Sequence, residues 1–204
     1  MMPNFTDLTG LAGVALLTAS ALLLLPGIAR IAKSRRTLVM VAVFVLLLIP
    51  VATLPLAAYM RGMTGDLSIT TLVLLCSAQL RPWCGCAEVS DRHRLALLVL
   101  VALASLGLYP MALGAGAYDP YQLGYGNLPF MVALLLLALA AWFGGYAMIA
   151  LCIALATLAW AAGWYESDNL WDYLIDPFVS VYALASLIIV GFKIIRQPHG
   201  RGRV

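Results

Sequence analysis

Charged residues are scarce in this sequence: Asp, Glu, Lys and Arg make up only 10% of its 204 residues, against about 25% in soluble proteins. Hydrophobic residues account for 64%, and the mean hydropathy is +0.99. No polar stretch is longer than a short loop, which leaves no room for a separate soluble domain. These deficits exclude an ordinary soluble globular protein and predict a chain that lies in a lipid bilayer.

Ionisable residues are missing from the centres of the long apolar runs. Inside a membrane such residues mark proton relays, ion paths and substrate sites. Their absence argues against a proton-driven transporter and against a retinal protein, which needs a buried lysine. A haem protein is also disfavoured, because the only histidines, His93 and His199, fall in basic loops. We therefore expect no cofactor.

Cysteines are few, and their spacing does not favour a metal site. The sequence Cys84-Gly85-Cys86 has His93 nearby, but a structural zinc site has four ligands and usually Cys-x₂-Cys spacing. The loops that are predicted to lie outside the membrane's cytoplasmic face contain no Ser-His or Cys-His arrangement. The sequence also has no phosphate-binding glycine motif. We expect no metal site, and the sequence gives no direct sign of catalysis.

What the sequence does contain is a series of long apolar runs. A membrane-spanning helix needs about 20 such residues. The stretch 128–165 is too long for one helix and has Gly144-Gly145 near its middle, which predicts two helices joined by a tight turn. The predicted fold is all-α, a single transmembrane helical domain over residues 1–204. Its expected spans are 8–31, 37–59, 64–83, 95–113, 128–143, 146–165 and 177–195.

The third of these spans decides the topology. Its apolar core, 67–80, covers only about 21 Å of helix, so a re-entrant segment between six spans is the alternative. If it crosses the membrane, every Lys and Arg except Arg61 falls on one side. The positive-inside rule then favours seven spans, with the N-terminus outside and the C-terminus in the cytoplasm. Asp66 is expected to be the N-cap of this helix.

Prolines in the outer halves of the spans predict bends. Pro50 and Pro55 fall in the second span and Pro110 near the end of the fourth. Each removes a backbone hydrogen bond from a helix. Bends there would splay the outer ends of the helices and leave a vestibule beneath the outer loops.

Carboxylates and aromatic rings are concentrated in two loops on the predicted outer side, 114–127 and 164–177. Carboxylates accept hydrogen bonds from hydroxyl groups, and rings cover the apolar faces of sugars; a divalent cation is the other ligand such oxygens suit. If 168–175 begins a short interfacial helix, its like charges repel unless something binds them. The expected ligand- or partner-binding residues are Arg61, Asp66, Tyr118, Asp119, Tyr121, Tyr125, Glu166, Asp168, Trp171, Asp172, Tyr173 and Asp176.

Three functions are compatible with this pattern. The first is a non-catalytic membrane subunit that docks a partner protein or binds an envelope lipid or glycan at its outer face. The alternative is a membrane enzyme that acts on a lipid-linked or glycan substrate with an outer carboxylate as general base, and a small transporter or flippase is the weaker third. The expected partners are membrane lipids, another membrane protein or a second copy of the chain, and no nucleic acid. The compact loops favour a bacterial cytoplasmic membrane.

Overall fold

A computed structural model describes residues 5–23, 32–51, 53–84 and 91–196, and these are mostly helical. A π-helical turn, Met111–Ala115, and a 3-10 helix, Pro120–Gly124, lie between the fifth and sixth α-helices. The α-helices are α1 (Phe5–Leu22), α2 (Lys33–Leu48), α3 (Leu56–Thr64), α4 (Ile69–Cys84), α5 (Asp91–Pro110), α6 (Leu128–Phe143), α7 (Ala147–Ala161), α8 (Leu170–Leu174) and α9 (Pro177–Arg196).

Two of the described helices are long and apolar enough to cross a membrane. They cover Arg92–Ala115, which includes the π-helical turn, and Pro177–Arg196, each with a mean hydropathy of 2.2. Four further described helices are apolar but shorter: Leu8–Leu22, Ile69–Leu80, Leu128–Phe143 and Ala147–Ala161. The described part of the chain is thus mostly helical, and two of its helices are of spanning length. The end of the predicted first span, 24–31, lies outside the described residues.

The second predicted span, 37–59, is wrong as one continuous helix. Helix α2 ends at Leu48, and two short strands, β1 (Pro50–Val51) and β2 (Leu54–Pro55), pair antiparallel before α3 begins. Proline has no N–H to donate and disfavours a helical conformation in the residue before it. Ile49 is accordingly extended, with φ −72° and ψ 130°. The expected bend at the prolines is a complete break.

The third predicted span, 64–83, starts too early, and the expected N-cap at Asp66 is wrong. Gly65 has φ +73°, and the chain stays non-helical until Ile69. The Ser68 hydroxyl oxygen accepts a 3.2 Å hydrogen bond from the Thr71 backbone N–H, so Ser68 is the N-cap. Asp66 instead pairs with Arg61, because its side chain lies beside the end of α3.

The later helices lie close to the predicted bounds. Helix α6 has the predicted bounds and α9 extends only one residue further than 195. The Gly144-Gly145 turn is confirmed, with φ +80° at Gly145. The sixth span, 146–165, is too long at its end, since α7 stops at Ala161 and Gly163 takes φ +62°. The fourth, 95–113, leaves α-helical geometry after Pro110.

Packing divides the described helices into two groups. Helices α4 to α9 share one large core, into which α8 is inserted with Leu170 and Tyr173 almost fully buried. Helices α1 to α3 form a smaller cluster around Ala15, Leu47 and Ala57. The short helix predicted near 168–175 therefore exists as α8, but it packs inside the end of the bundle.

Candidate functional site

Most of the predicted site residues lie at one end of the bundle, where α1, α4 and α9 begin and α5 and α7 finish. We call this the acidic end. Its described carboxylates are Asp66, Asp119, Glu166, Asp168, Asp172 and Asp176, and its described basic residue is Arg61. Two loops build it, 116–127 after α5 and 162–169 before α8.

The two loops interlock through side chains that bond to backbone groups. The Asn169 side-chain N–H donates to the Tyr121 carbonyl at 2.9 Å, and the Trp171 indole N–H donates to the Pro120 carbonyl at 3.0 Å. Asn169 also caps α8 by accepting from the Trp171 backbone N–H. Gly124 makes this approach feasible, since a Cβ there would lie 1.8 Å from Asn169 Oδ1.

Tyr121 and Asp172 form a direct pair across this junction. The phenol of Tyr121 donates to the carboxylate, with O–O distances of 2.8 and 3.1 Å to Oδ2 and Oδ1. The Ser167 hydroxyl donates to the same Oδ2. Burial and then the bond to Asp172 raise the pKa of Tyr121. The pair therefore consists of a neutral phenol and a carboxylate fixed by two hydroxyl groups.

A cavity of about 250 Å³ opens beside this pair. Its other walls are apolar or aromatic: Leu108, Tyr109, Ala112, Leu113, Trp171 and Ile175. Among the described residues that line it, Asp172 is the only charged one. Most ligand sites share this design, an apolar pocket with a small number of placed polar groups. The cavity suits a ligand with an apolar body and one hydrogen-bond donor.

Arg61 and Asp66 form a second feature of the acidic end. Their side chains make a two-pronged ion pair, with Nε–Oδ1 at 2.6 Å and Nη2–Oδ2 at 2.9 Å. They are 16% and 21% exposed, and Glu166 Oε1 lies 4.0 Å from Arg61 Nη2. Gly10 of α1 packs directly on the pair. The adjacent cavity of about 310 Å³ thus has one cation and two carboxylates on its wall.

Tyr165 and Tyr173 stack with their ring centroids 5.0 Å apart and line neither cavity. The Tyr173 oxygen accepts from the Tyr165 backbone N–H at 3.0 Å, and its O–H lies 3.1 Å from the Ser167 carbonyl. Burial raises the pKa of both phenols. These contacts hold the loop before α8 in its conformation, so the role of Tyr173 in the site is structural.

Asp176 is buried, at 4% exposure, and its carboxylate accepts three hydrogen bonds: from Ser68 N at 2.7 Å, Thr71 Oγ1 at 2.6 Å and Val179 N at 2.8 Å. Asp168 is exposed and offers its backbone carbonyl to the Trp160 indole. Because α8 covers only Leu170–Leu174, Asp168, Asp172 and Asp176 do not form one charged stripe. Each has separate surroundings.

The remaining predicted residues frame the Tyr121–Asp172 pair. Asp119 Oδ1 accepts from the Tyr121 backbone N–H at 2.9 Å and so caps the 3-10 helix. Tyr125 meets the Tyr121 ring edge to face at 5.8 Å, while Tyr118 and Tyr125 are 56% and 60% exposed. The structure therefore brings Asp119, Tyr121, Tyr125 and Asp172 together, and it places Arg61, Asp66 and Glu166 in a separate group.

Several contributing residues were not predicted from the sequence. Ser167 and Asn169 hold Asp172 and the loop junction, and a local signal existed, since Asn169 directly precedes an apolar helical turn. Gly10, Leu108 and Tyr109 had no such signal, because each enters the site through distant contacts.

No three His, Cys, Asp or Glu side chains in the described part of the chain lie close enough together to hold a metal ion. The side chains of Cys84 and Cys86 lie outside that part.

Comparisons with protein-family models, with curated proteins and with solved structures found no match for this chain.

Proposed function

We propose that this protein is a seven-span membrane protein of a bacterial cytoplasmic membrane that binds an amphipathic ligand, a lipid or a lipid-linked glycan, in the cavity beside Tyr121 and Asp172. The observation that carries the proposal is a fixed carboxylate on the wall of an otherwise apolar cavity. Binding, without a chemical step, is the proposed activity.

The chemistry of the cavity favours one class of head group. A carboxylate accepts hydrogen bonds from hydroxyl groups and pairs with ammonium groups. A phosphate beside Asp172 would be repelled, since no basic residue among the described ones lines this cavity. The aromatic and aliphatic walls would cover the apolar part of the ligand. We therefore expect a ligand with a hydroxylated or amine-bearing head and an apolar tail.

Charge placement along the helices supports the proposed orientation. Helix α9 begins after the buried Asp176 and ends with Lys193 and Arg196 in its last turn. Helix α5 (Asp91–Pro110) carries Arg92 and Arg94 in its first turn, and Tyr109, near its last residue, lines the cavity. By the positive-inside rule the acidic end then faces the outside.

Cysteine labelling in intact cells tests the orientation and the number of spans. In a variant without the natural cysteines, single cysteines would replace Met63, which is 90% exposed, Glu166 and Phe143, which is 83% exposed. Seven spans predict that a membrane-impermeant maleimide labels positions 63 and 166 in intact cells and position 143 only after permeabilisation. Opposite labelling of positions 63 and 166 would mean that α4 does not cross the membrane.

Native mass spectrometry of the full chain, purified in a mild detergent, tests the ligand. The wild-type protein should retain a bound molecule whose mass identifies it, and a partner or second copy would be seen in the same spectrum. D172N and Y121F should each lose most of this occupancy, whereas D168N should keep it, because Asp168 lies outside the cavity. Equal occupancy in D172N and the wild type would contradict the proposal.

A further inference from the structure

The end of α5 that lies away from the acidic end carries Arg92, which contacts a tyrosine between α6 and α7. Arg92 Nε donates to the Tyr146 phenol oxygen at 3.1 Å, and its Cζ lies 5.7 Å from the centre of the Tyr146 ring. The His93 ring meets the same tyrosine edge-on at 5.2 Å. Tyr146 directly follows the Gly144-Gly145 turn, so this contact lies at the start of α7.

A second arginine of α5, Arg94, makes the same kind of contact with a tyrosine of another helix. Arg94 Nη2 donates to the Tyr182 phenol oxygen, and its Cζ lies 5.9 Å from that ring centre. Tyr182 is in the first half of α9, which begins at the acidic end, so Arg94 extends from the first turn of α5 towards the middle of the bundle. Residues at positions i and i+2 of a helix face different sides. Arg92 therefore lies between α5 and α7, and Arg94 lies between α5 and α9.

Neither arginine has its charge neutralised by a described carboxylate. Both side chains are exposed, and a phenol oxygen is the polar partner of each. A guanidinium carries five N–H donors in a planar fork, and each phenol uses a single nitrogen of its arginine. The phenols hold each fork in one place while most of its donors stay available.

We propose that Arg92 and Arg94, both in the first turn of α5, bind the phosphate groups of anionic phospholipids in the leaflet at that end of the helix. The planar guanidinium group of arginine can donate two parallel hydrogen bonds to a phosphate, whereas the ammonium group of lysine acts as a point charge. Basic pockets between membrane helices on the cytoplasmic side are suited to such head groups. The inference requires that the helices lie in a membrane, but it does not depend on the acidic-end cavity, which is at the other end of α5.

Lipid titration of the purified full chain tests this site. Binding of phosphatidylglycerol and of phosphatidylcholine would be followed by native mass spectrometry in a neutral detergent. The wild type should prefer phosphatidylglycerol, and R92Q and R94Q should each weaken that binding roughly fivefold. The double variant R35Q/R196Q is the matched control, since it also removes two exposed arginines but disrupts no described tyrosine contact.

Two further variants separate geometry from charge. R92K/R94K keeps both charges and loses the forks, so its phosphatidylglycerol binding should fall between the wild type and R92Q/R94Q. Y146F/Y182F keeps the guanidinium groups but removes the phenol oxygens, and it should weaken binding as well. The proposal is overturned if R92Q/R94Q binds phosphatidylglycerol like the wild type, or if the control loses as much. Binding of inorganic phosphate alone to the same extent as phosphatidylglycerol would overturn the assignment to a lipid.

Discussion

The buried carboxylate of Asp176 accepts a 2.7 Å hydrogen bond from the backbone N–H of Ser68, which lies 108 residues earlier in the chain. Ser68 is the N-cap of α4, and Asp176 accepts from Val179 in the first turn of α9. One carboxylate therefore satisfies backbone donors at the start of two helices, which otherwise have no partner within the helix. This fixes the two helices to each other beneath the acidic end.

Replacing Asp176 with alanine should destabilise the protein by about 3 kcal/mol, because buried donors on Ser68, Thr71 and Val179 lose their acceptor. Reversible unfolding in mixed micelles measures the change. D168A is the control and should stay within about 0.5 kcal/mol of the wild type, since that side chain is exposed. Similar losses in both variants would refute a capping role for Asp176.

Gly10→Ala should break the Arg61–Asp66 pair. The added Cβ would lie 2.2 Å from Asp66 Oδ1 and 2.5 Å from Arg61 Nε, so the side chains must move apart. A cost of about 1–3 kcal/mol is expected from such overpacking. Gly62 of α3 lines the cavity beside this pair, and a Cβ there would have no atom within 4 Å. Gly62→Ala should therefore be neutral or stabilising. Thermal unfolding of the two variants side by side distinguishes them.

Gly124→Ala should separate the two loops of the acidic end, since the new methyl group would occupy the position of Asn169 Oδ1. The expected result is loss of the Tyr121–Asp172 pair and of ligand occupancy, with the helices retained. Circular dichroism would report the helices and native mass spectrometry the ligand. Unchanged occupancy would show that the interlocked loops do not shape the cavity.

The stability of the wild type should fall more steeply above about pH 10 than that of Y121F. The raised pKa of Tyr121 keeps its phenol protonated in the native state, whereas in the unfolded chain it ionises near its ordinary pKa. The native state then binds more protons, so stability is complete below that pH and declines above it. Unfolding measured from pH 8 to 11 tests the difference between the two proteins. Parallel curves would contradict a native Tyr121–Asp172 bond.

Hydropathy and helix-breaking residues are sufficient to predict those helices whose ends are set by residues adjacent in the sequence. Helix α6 lies between Asn127, whose side chain caps it, and the Gly144-Gly145 turn. The break at Ile49 was expected only as a bend, because the pairing of Val51 with Leu54 depends on how two proline-flanked segments meet. Length and apolarity are readable along the sequence, but the form of a break is not.

The candidate site was less predictable, because the sequence gives the residue types but not their partners. Asp66, Asp172 and Asp176 look alike as carboxylates near a membrane surface. The structure gives them an ion pair, a phenol at a cavity wall and a buried double cap, respectively. Each partner is set by tertiary contacts, the most distant 108 residues away. The sequence therefore predicted one common site for these carboxylates, whereas the structure gives each of them a separate environment.

Site-specific photo-crosslinking is the sharpest test of a ligand cavity beside Tyr121 and Asp172. A photo-reactive amino acid at Ala112, which lines the cavity, would be compared with one at Leu136, an exposed position on α6. In native membranes, position 112 should capture one defined molecule with a hydroxylated or amine-bearing head. The same adduct should be lost in D172N. Capture of the same mixture of bulk lipids at both positions, unaffected by D172N, would show that no specific ligand binds beside Tyr121 and Asp172.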